Sequence, residues 1–288
     1  MINRLPSWFR QDIPDNTVLE RARILSKWRV NTVCKQAKCP NLSYCFGNLK
    51  FTFMILGALC TRNCRFCAVD KSKHEYPSVD NEEPYRISQI VKMFGLQFVV
   101  ITSVTRDDLS DGGAAQFAKV MELIHAINKN IEIEVLIPDF SGSISSLKAV
   151  IDARPSVLAH NIETVKRLYK EVRPNANYSR SLEILGKAKE IEPSLVTKSS
   201  LILGLSETEE ELIDTMEDLR HSHCDILTLG QYLAPSDKHY PVKEFISLEQ
   251  FKRYHKIAMG LGFRAVLSGP KVRSSYCAQE TYAQLQYV

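Results

Sequence analysis

Cys60-Thr-Arg-Asn-Cys64-Arg-Phe-Cys67 sets three thiols at C-x3-C-x2-C spacing, just after an apolar run at 51–56. Three thiolates on one short loop can hold three irons of a [4Fe–4S] cluster. The fourth iron is then open to a ligand that chelates through an amine and a carboxylate. A structural zinc wants four protein ligands, usually as two separated pairs, and this loop supplies three. A second trio, Cys34-x4-Cys39-x5-Cys45, lies fifteen residues upstream. No histidine falls between Ile2 and Val69, so a local Cys3His zinc knob cannot form. A second iron–sulfur cluster with a remote fourth ligand remains, beside the plainer reading of two ligands and one buried thiol. Six of the eight cysteines are therefore crowded into 34–67. In a reducing cytosol such crowding points to metal or catalysis rather than disulfides. Cys224, just before an apolar run, reads as a small buried hydrophobe, and Cys277 as a bystander thiol.

The elements that must position these loops alternate regularly. Apolar runs at 51–56, 98–103, 131–137, 157–162, 196–203 and 225–229 read as strands. Between them lie apolar residues at helical spacing, such as Phe117, Val120, Met121, Ile124 and Ile127, or Leu212, Ile213, Met216 and Leu219. Pro84 and Pro193 suit the start and end of helices. Alternation of this kind implies parallel strands joined by right-handed crossovers, as an open doubly wound sheet or an incomplete barrel. No Gly-x-Gly-x-x-Gly follows a strand, so a dinucleotide fold is not supported. Thr102-Ser103, Asp139, His160-Asn161-Glu163 and Gln231 all fall at C-terminal strand ends, the face that builds the active site of a barrel. The expected fold is thus α/β: a partial (β/α)6 TIM-type barrel over 51–260, an N-terminal cluster-binding segment over 1–50, and a C-terminal segment over 261–288 closing the site. His160 reads as a hydrogen-bonded core residue rather than a base.

The chain of 288 residues is 44% hydrophobic and 24% charged, ordinary for a globular protein. The formal charge of +4 is spread out, with no block of like charge, which gives no support to nucleic-acid or membrane binding. No apolar stretch approaches the ~20 residues of a membrane span, and no signal peptide opens the chain. A cytoplasmic protein is expected.

Together the two trios resemble lipoyl synthases of the radical S-adenosylmethionine superfamily, and the resemblance spans nearly the whole chain. Val33-Cys34-Lys-Gln-Ala-Lys-Cys39-Pro-Asn-Leu-Ser-Tyr-Cys45 is similar to that family's auxiliary-cluster segment. Val100-Ile-Thr-Ser-Val-Thr-Arg-Asp-Asp-Leu-Ser-Asp-Gly-Gly113 and Leu227-Thr-Leu-Gly-Gln-Tyr-Leu-Ala-Pro235 resemble its internal motifs, and Arg273-Ser274-Ser275-Tyr276 its C-terminal signature. The resemblance implies a sulfurtransferase that inserts two sulfur atoms at C6 and C8 of a protein-bound octanoyl chain. An unactivated C–H is too weak an acid for any general base, so a cofactor must carry that step. The cluster on Cys60, Cys64 and Cys67 would reduce S-adenosylmethionine, twice per lipoyl group. The second [4Fe–4S] cluster, on Cys34, Cys39 and Cys45, would donate sulfur, with Ser275 as its releasable fourth ligand and Ser274 as the neighbour it could be confused with.

For S-adenosylmethionine, Phe66 would line the adenine, Thr102 and Ser103 would meet the amine, Asn161 and Glu163 the ribose, and Arg173 and Lys198 the carboxylate. Each also has a plainer reading in capping or ion pairing. Two departures weaken the carry-over. Asp111-Gly112-Gly113-Ala114 lacks the Glu of the superfamily's Gly-Gly-Glu, and Ser200 replaces the first Gly of the pattern ending at Gly204 and Glu207. The implied partners are an octanoylated lipoyl carrier protein (a glycine-cleavage H protein or a dehydrogenase E2 lipoyl domain), a reductant such as ferredoxin or flavodoxin, and an iron–sulfur carrier. A mildly basic rim at Arg62, Arg65, Lys71 and Lys73 would suit docking of an acidic carrier.

Overall fold

A computed structural model describes residues 6–9, 13–72 and 75–285. Seven strands follow one another in chain order: β1 (Thr52–Ile55), β2 (Phe98–Ser103), β3 (Glu132–Leu136), β4 (Val157–Ala159), β5 (Val196–Leu203), β6 (Ile226–Gln231) and β7 (Ala265–Gly269). The pairs β1–β2, β2–β3, β5–β6 and β6–β7 are parallel. Helices α1 (Asn16–Lys27), α2 (Val33–Gln36) and α3 (Leu42–Gly47) precede β1. The crossovers carry α4 (Glu83–Phe94), α5 (Ala114–Ile127), α6 (Ile144–Asp152), α7 (Tyr169–Val172), α8 (Tyr178–Ile191), α9 (Glu209–His221) and α10 (Leu248–Gly260), and α11 (Ala278–Gln284) follows β7. The six expected strands are all present. The seventh, β7, escaped the sequence reading because only Ala265-Val266-Leu267 is apolar before a Ser-Gly-Pro turn. Among the described residues no helix is long and apolar enough to cross a membrane.

Two compact units divide the chain. One comprises residues 11–62 and 68–158. Its strand β1 is buried at all four positions, as expected of a parallel strand covered on both faces. Phe117, Val120, Met121 and Ile124 of α5 are fully buried, whereas Ile127 at the helix end is exposed. Glu83 at the start of α4 accepts a hydrogen bond from Leu56 N at 2.8 Å and another from Gln116 Nε2 at 3.0 Å. Burial pushes the Glu83 carboxyl up, against the pull of those donors. This fixes where the chain leaves β1 for the first cysteine loop. The N-terminal segment, weakly patterned in sequence, folds into three short helices, of which α1 is capped by Asp15 accepting from Val18 N at 2.8 Å.

The other unit comprises residues 63–67, 159–288 and the N-terminal residues up to 10. Leu212, Met216 and Leu219 of α9 are buried. Capping boxes Thr208/Glu211 and Ser247/Gln250 open α9 and α10. After β5 the chain turns at Gly204, with φ at +95°, and Glu207 accepts from Gly204 N at 2.6 Å and Leu205 N at 2.8 Å. A Cβ at Gly204 would press into the Glu244 carbonyl and the Gln231 amide. Gly204→Ala is therefore expected to cost about 2–4 kcal/mol, from strain and overpacking together. Urea unfolding checks this, and a cost near zero would show that the turn relaxes freely.

Candidate cluster and cofactor site

The first half of the cysteine loop is pinned inside the β1 unit. Cys60 N donates to Asp70 O at 2.9 Å and Thr61 N to Thr105 O at 3.0 Å. Thr61 Oγ1 donates to Asp107 Oδ2 at 2.9 Å. Arg62 Nε and Nη2 both reach the Asp107 carboxylate at 2.9 Å, and Nη2 also reaches Asp139 Oδ1 at 2.5 Å. Arg62 is only 6% exposed. Burial alone would lower its pKa, but the two carboxylates overcome this and hold the guanidinium charged. Burial likewise raises the Asp107 carboxyl, and Arg62 reverses the shift to below the ordinary value. Arg62 therefore cannot belong to an exposed basic rim, as the sequence had suggested. Its charge is spent on holding the loop to the ends of β2 and β3. Lys73, placed on the same rim, lies outside the described residues.

The second half of the loop belongs to the other unit. Arg65 N donates to Val172 O and Tyr240 N to Arg65 O, each at 2.8 Å. The Arg65 guanidinium stands 5.7 Å from the Tyr240 ring centroid. Phe66 packs against the buried cluster of Val165, Leu168, Val172, Leu205, Tyr232 and Tyr240. Arg173, buried, hydrogen-bonds the Cys64 sulfur. Its Nη1 also donates to Asn161 O at 3.1 Å, Ile162 O at 3.0 Å and Tyr169 Oη at 2.9 Å. Burial works against its charge, but Tyr169, Glu163 and Cys64 raise its pKa above the ordinary value.

Three of the expected cofactor residues come together here. Asn161 Nδ2 donates to Glu163 Oε1 at 3.0 Å, and the Arg173 charge acts on that carboxylate. Burial pushes Glu163 up, with Arg173 and Asn161 pulling it down. Its backbone is left-handed, with φ at +66°, and bridges Leu201 of β5 through Glu163 N to Ser200 O and Ile202 N to Glu163 O, each at 2.9 Å. Lys198 is fully buried on β5. In the β1 unit, Thr102 Oγ1 gives its proton to Leu136 O at 3.1 Å, which leaves it lone pairs for an amine. Ser103 Oγ is buried with no hydrogen-bond partner among the described residues, as an atom awaiting a ligand would be. Two other strand-end residues are structural. His160 Nε2 lies 3.0 Å from Ser181 Oγ. Gln231 Nε2 donates to three carbonyls and its Oε1 accepts from Ile246 N.

The second trio lies wholly in the β1 unit. Thr32 caps α2, which carries Cys34; Cys39 N donates back to Cys34 O at 3.0 Å, and Cys45 sits on α3. Burial pushes the Cys34 thiol up to about 11, so iron binding there must release a proton. All eight cysteines are free of disulfides. Among the described residues no three Cys, His, Asp or Glu side chains stand close enough to share one ion. Each trio offers three thiols free of disulfides, the donor type that an iron–sulfur cluster takes.

Ser274 and Ser275 follow β7 in the other unit. Ser274 Oγ donates to Asn161 Oδ1 at 2.9 Å. That bond, the Arg173–Cys64 contact and the Arg62–Asp107–Asp139 network are site features that residue types alone did not reveal. Only the Thr-Arg-Asp-Asp run at 105–108 hinted at the last. Cys224 is fully buried, its thiol pushed up to about 12 by burial and by Asp225.

Comparison with known proteins matches residues 54–219 to the Radical SAM superfamily. The lipoyl synthase of Caldanaerobacter subterraneus subsp. tengcongensis is 50% identical over 280 residues, covering 96% of this chain and 97% of the relative. That of Aquifex aeolicus is 53% identical over 263 residues, covering 91% and 94%. Among solved structures, methylornithine synthase aligns with a TM-score of 0.55 at 14% identity, covering 90% of this chain and 84% of that one. The hydrogenase maturase HydG of Carboxydothermus hydrogenoformans aligns at 0.57 and 13%, covering 81% and 56%. These two speak for the partial-barrel fold alone. The chain belongs to the Radical SAM superfamily and, within it, to the lipoyl synthase family.

Proposed function

We propose that Cys60, Cys64 and Cys67 hold the catalytic [4Fe–4S] cluster of this lipoyl synthase, and that Cys34, Cys39, Cys45 and Ser275 hold the auxiliary one. The observation that carries the assignment is the separate local folding of the two trios, one on a strand-end loop and one on α2 and α3. When bound, the catalytic cluster supplies the electron that cleaves S-adenosylmethionine, and the auxiliary cluster supplies sulfur to C6 and C8 of the octanoyl chain. Arg173 sets its positive charge beside Cys64, while Asn161 and Glu163 offer a hydrogen-bonding pair for ribose hydroxyls. Phe66 borders the adenine, Thr102 and Ser103 take the methionyl amine, and Lys198 lends its charge on the carboxylate side. The strands β1 to β7 position these groups, with 1–50 and the segment after β7 contributing the auxiliary ligands.

Ser274 donates to Asn161, and the resemblance of Arg273-Ser274-Ser275-Tyr276 to the family's C-terminal signature assigns the fourth ligand to Ser275. Ser275→Ala is expected to cleave S-adenosylmethionine but to make under about a hundredth of the wild-type lipoyl product, as the loss of a ligand's function predicts. Ser274→Ala should keep sulfur insertion and raise the KM for S-adenosylmethionine. Product analysis on an octanoylated carrier, scoring 5′-deoxyadenosine and lipoyl separately, decides between them. Sulfur insertion by Ser275→Ala at the wild-type rate would refute the assignment. The finer partners follow the same reading: a glycine-cleavage H protein or an E2 lipoyl domain as carrier, ferredoxin or flavodoxin as reductant, and an iron–sulfur carrier to restore the consumed cluster.

A further inference from the structure

Residues 13–50 hold seven Lys and Arg against two Asp and Glu, a net +5, whereas the whole chain carries +4 and the remainder therefore −1. The cations are interleaved one at a time with apolar residues and cysteines, so no run of charge announces them. Several are used internally. Arg21 donates to Phe46 O, and Lys50 stands over the Tyr44 ring at 5.6 Å. Of the two acids, Asp15 is spent capping α1.

Five others are different. Arg23, Lys27, Arg29, Lys35 and Lys38 are exposed and make no side-chain hydrogen bond or ion pair among the described residues. Arg23 and Lys27 stand one turn apart on α1, an arrangement that is mildly repulsive in a helix. Arg29 and Lys35 line a cavity of about 220 Å³ with Asn31 and Gln36, over a floor that includes Leu25 and Phe46. No carboxylate lines it. Three exposed lysines elsewhere do have carboxylate partners: Lys119 with Glu122, Lys148 with Asp152, Lys187 with Glu190. An unneutralised cationic face works against the compact state and raises the rate of encounter with a surface of opposite charge.

This face runs from α1 to the turn after α2, and Cys34, Cys39 and Cys45 run from α2 through that turn to α3. If those thiolates hold the sulfur donor, which is the reading proposed above, the octanoyl chain must be brought to them. It arrives on a single lysyl arm, so the carrier has to dock close by. We propose that the cationic face of α1 and α2 is the docking surface for the octanoylated carrier protein. The carrier would meet it with an acidic patch and place a carboxylate in the groove between Arg29 and Lys35.

The test is an Arg23→Glu/Lys27→Glu/Arg29→Glu variant, which leaves every proposed cluster and cofactor residue intact. Its affinity for octanoylated H protein and for an octanoylated E2 lipoyl domain would be measured at low and high salt. Iron and sulfide content are measured alongside, because a loss there would count against the auxiliary-cluster reading rather than against docking. Binding should weaken at least tenfold at low salt and lose most of its salt dependence, with iron unchanged and the rate restored at saturating carrier. A Lys119→Glu/Lys256→Glu control changes net charge elsewhere and should bind normally. Equal weakening in the control, or unchanged affinity and salt dependence in the first variant, would overturn the proposal. So would normal carrier binding combined with slowed cluster restoration by an iron–sulfur carrier, which would give the face to that partner instead.

Discussion

Replacing Cys34, Cys39 and Cys45 together with alanine is expected to halve the iron, from about eight to about four atoms per anaerobically purified chain. It should abolish lipoyl formation while S-adenosylmethionine cleavage continues. The effect is large if the trio holds the sulfur donor as proposed: no other cysteine lies on α1, α2 or α3, and a single remaining serine cannot hold a cluster. The fold should survive, since Cys34 is the only buried member of the three and its loss removes one small side chain. Truncating one small buried thiol costs on the order of 1 kcal/mol. Metal analysis, acid-labile sulfide and product analysis read the result. Zinc in place of iron, or four irons in both proteins, would remove the sulfur donor from this account.

Arg62→Gln is expected to lose iron from the other cluster and to lower stability by about 3 kcal/mol, the low end for a broken buried ion pair. The low end applies because Asp107 keeps 35% exposure and water can serve it, whereas Asp139, at 1%, is left buried with its charge. The loop suffers directly. Arg62 lies between Cys60 and Cys64, and its guanidinium is what binds that stretch to the ends of β2 and β3. Arg62→Lys retains the charge but not the fork that spans two carboxylates, so it should fall between wild type and glutamine. The readouts are iron content and the electron paramagnetic signal of the reduced catalytic cluster, with the auxiliary cluster as internal standard. Wild-type iron and an unaltered signal in Arg62→Gln would show that the cysteines order the loop unaided.

The fold was legible where the pattern was long and one-sided. Six strands and the helices between them follow from apolar runs bounded by turn residues, and α5 and α9 bury the faces their spacing marks. β7 was not legible, because a short strand ending in Ser-Gly carries almost no periodic signal. The N-terminal helices were missed for a related reason. α2 and α3 have four and six residues, too few for a helical period to register.

The chemistry of this protein was determined by the sequence alone, since ligand identity and spacing along a short loop decide what a set of thiolates can bind. Two cysteine trios pointed to iron–sulfur clusters, and the family resemblance gave the second trio its expected sulfur-donor role. What only the tertiary structure decided is which charges serve the site. Arg62 looked like a surface cation and is a buried strut, and Ser274 bonds to Asn161, 113 residues away in the chain. Arg173 lies more than a hundred residues beyond Cys64 and meets it only through the fold. The physical reason is range. Covalent spacing dictates coordination over a few residues, whereas burial and ion pairing depend on partners that the chain brings back from far along its length.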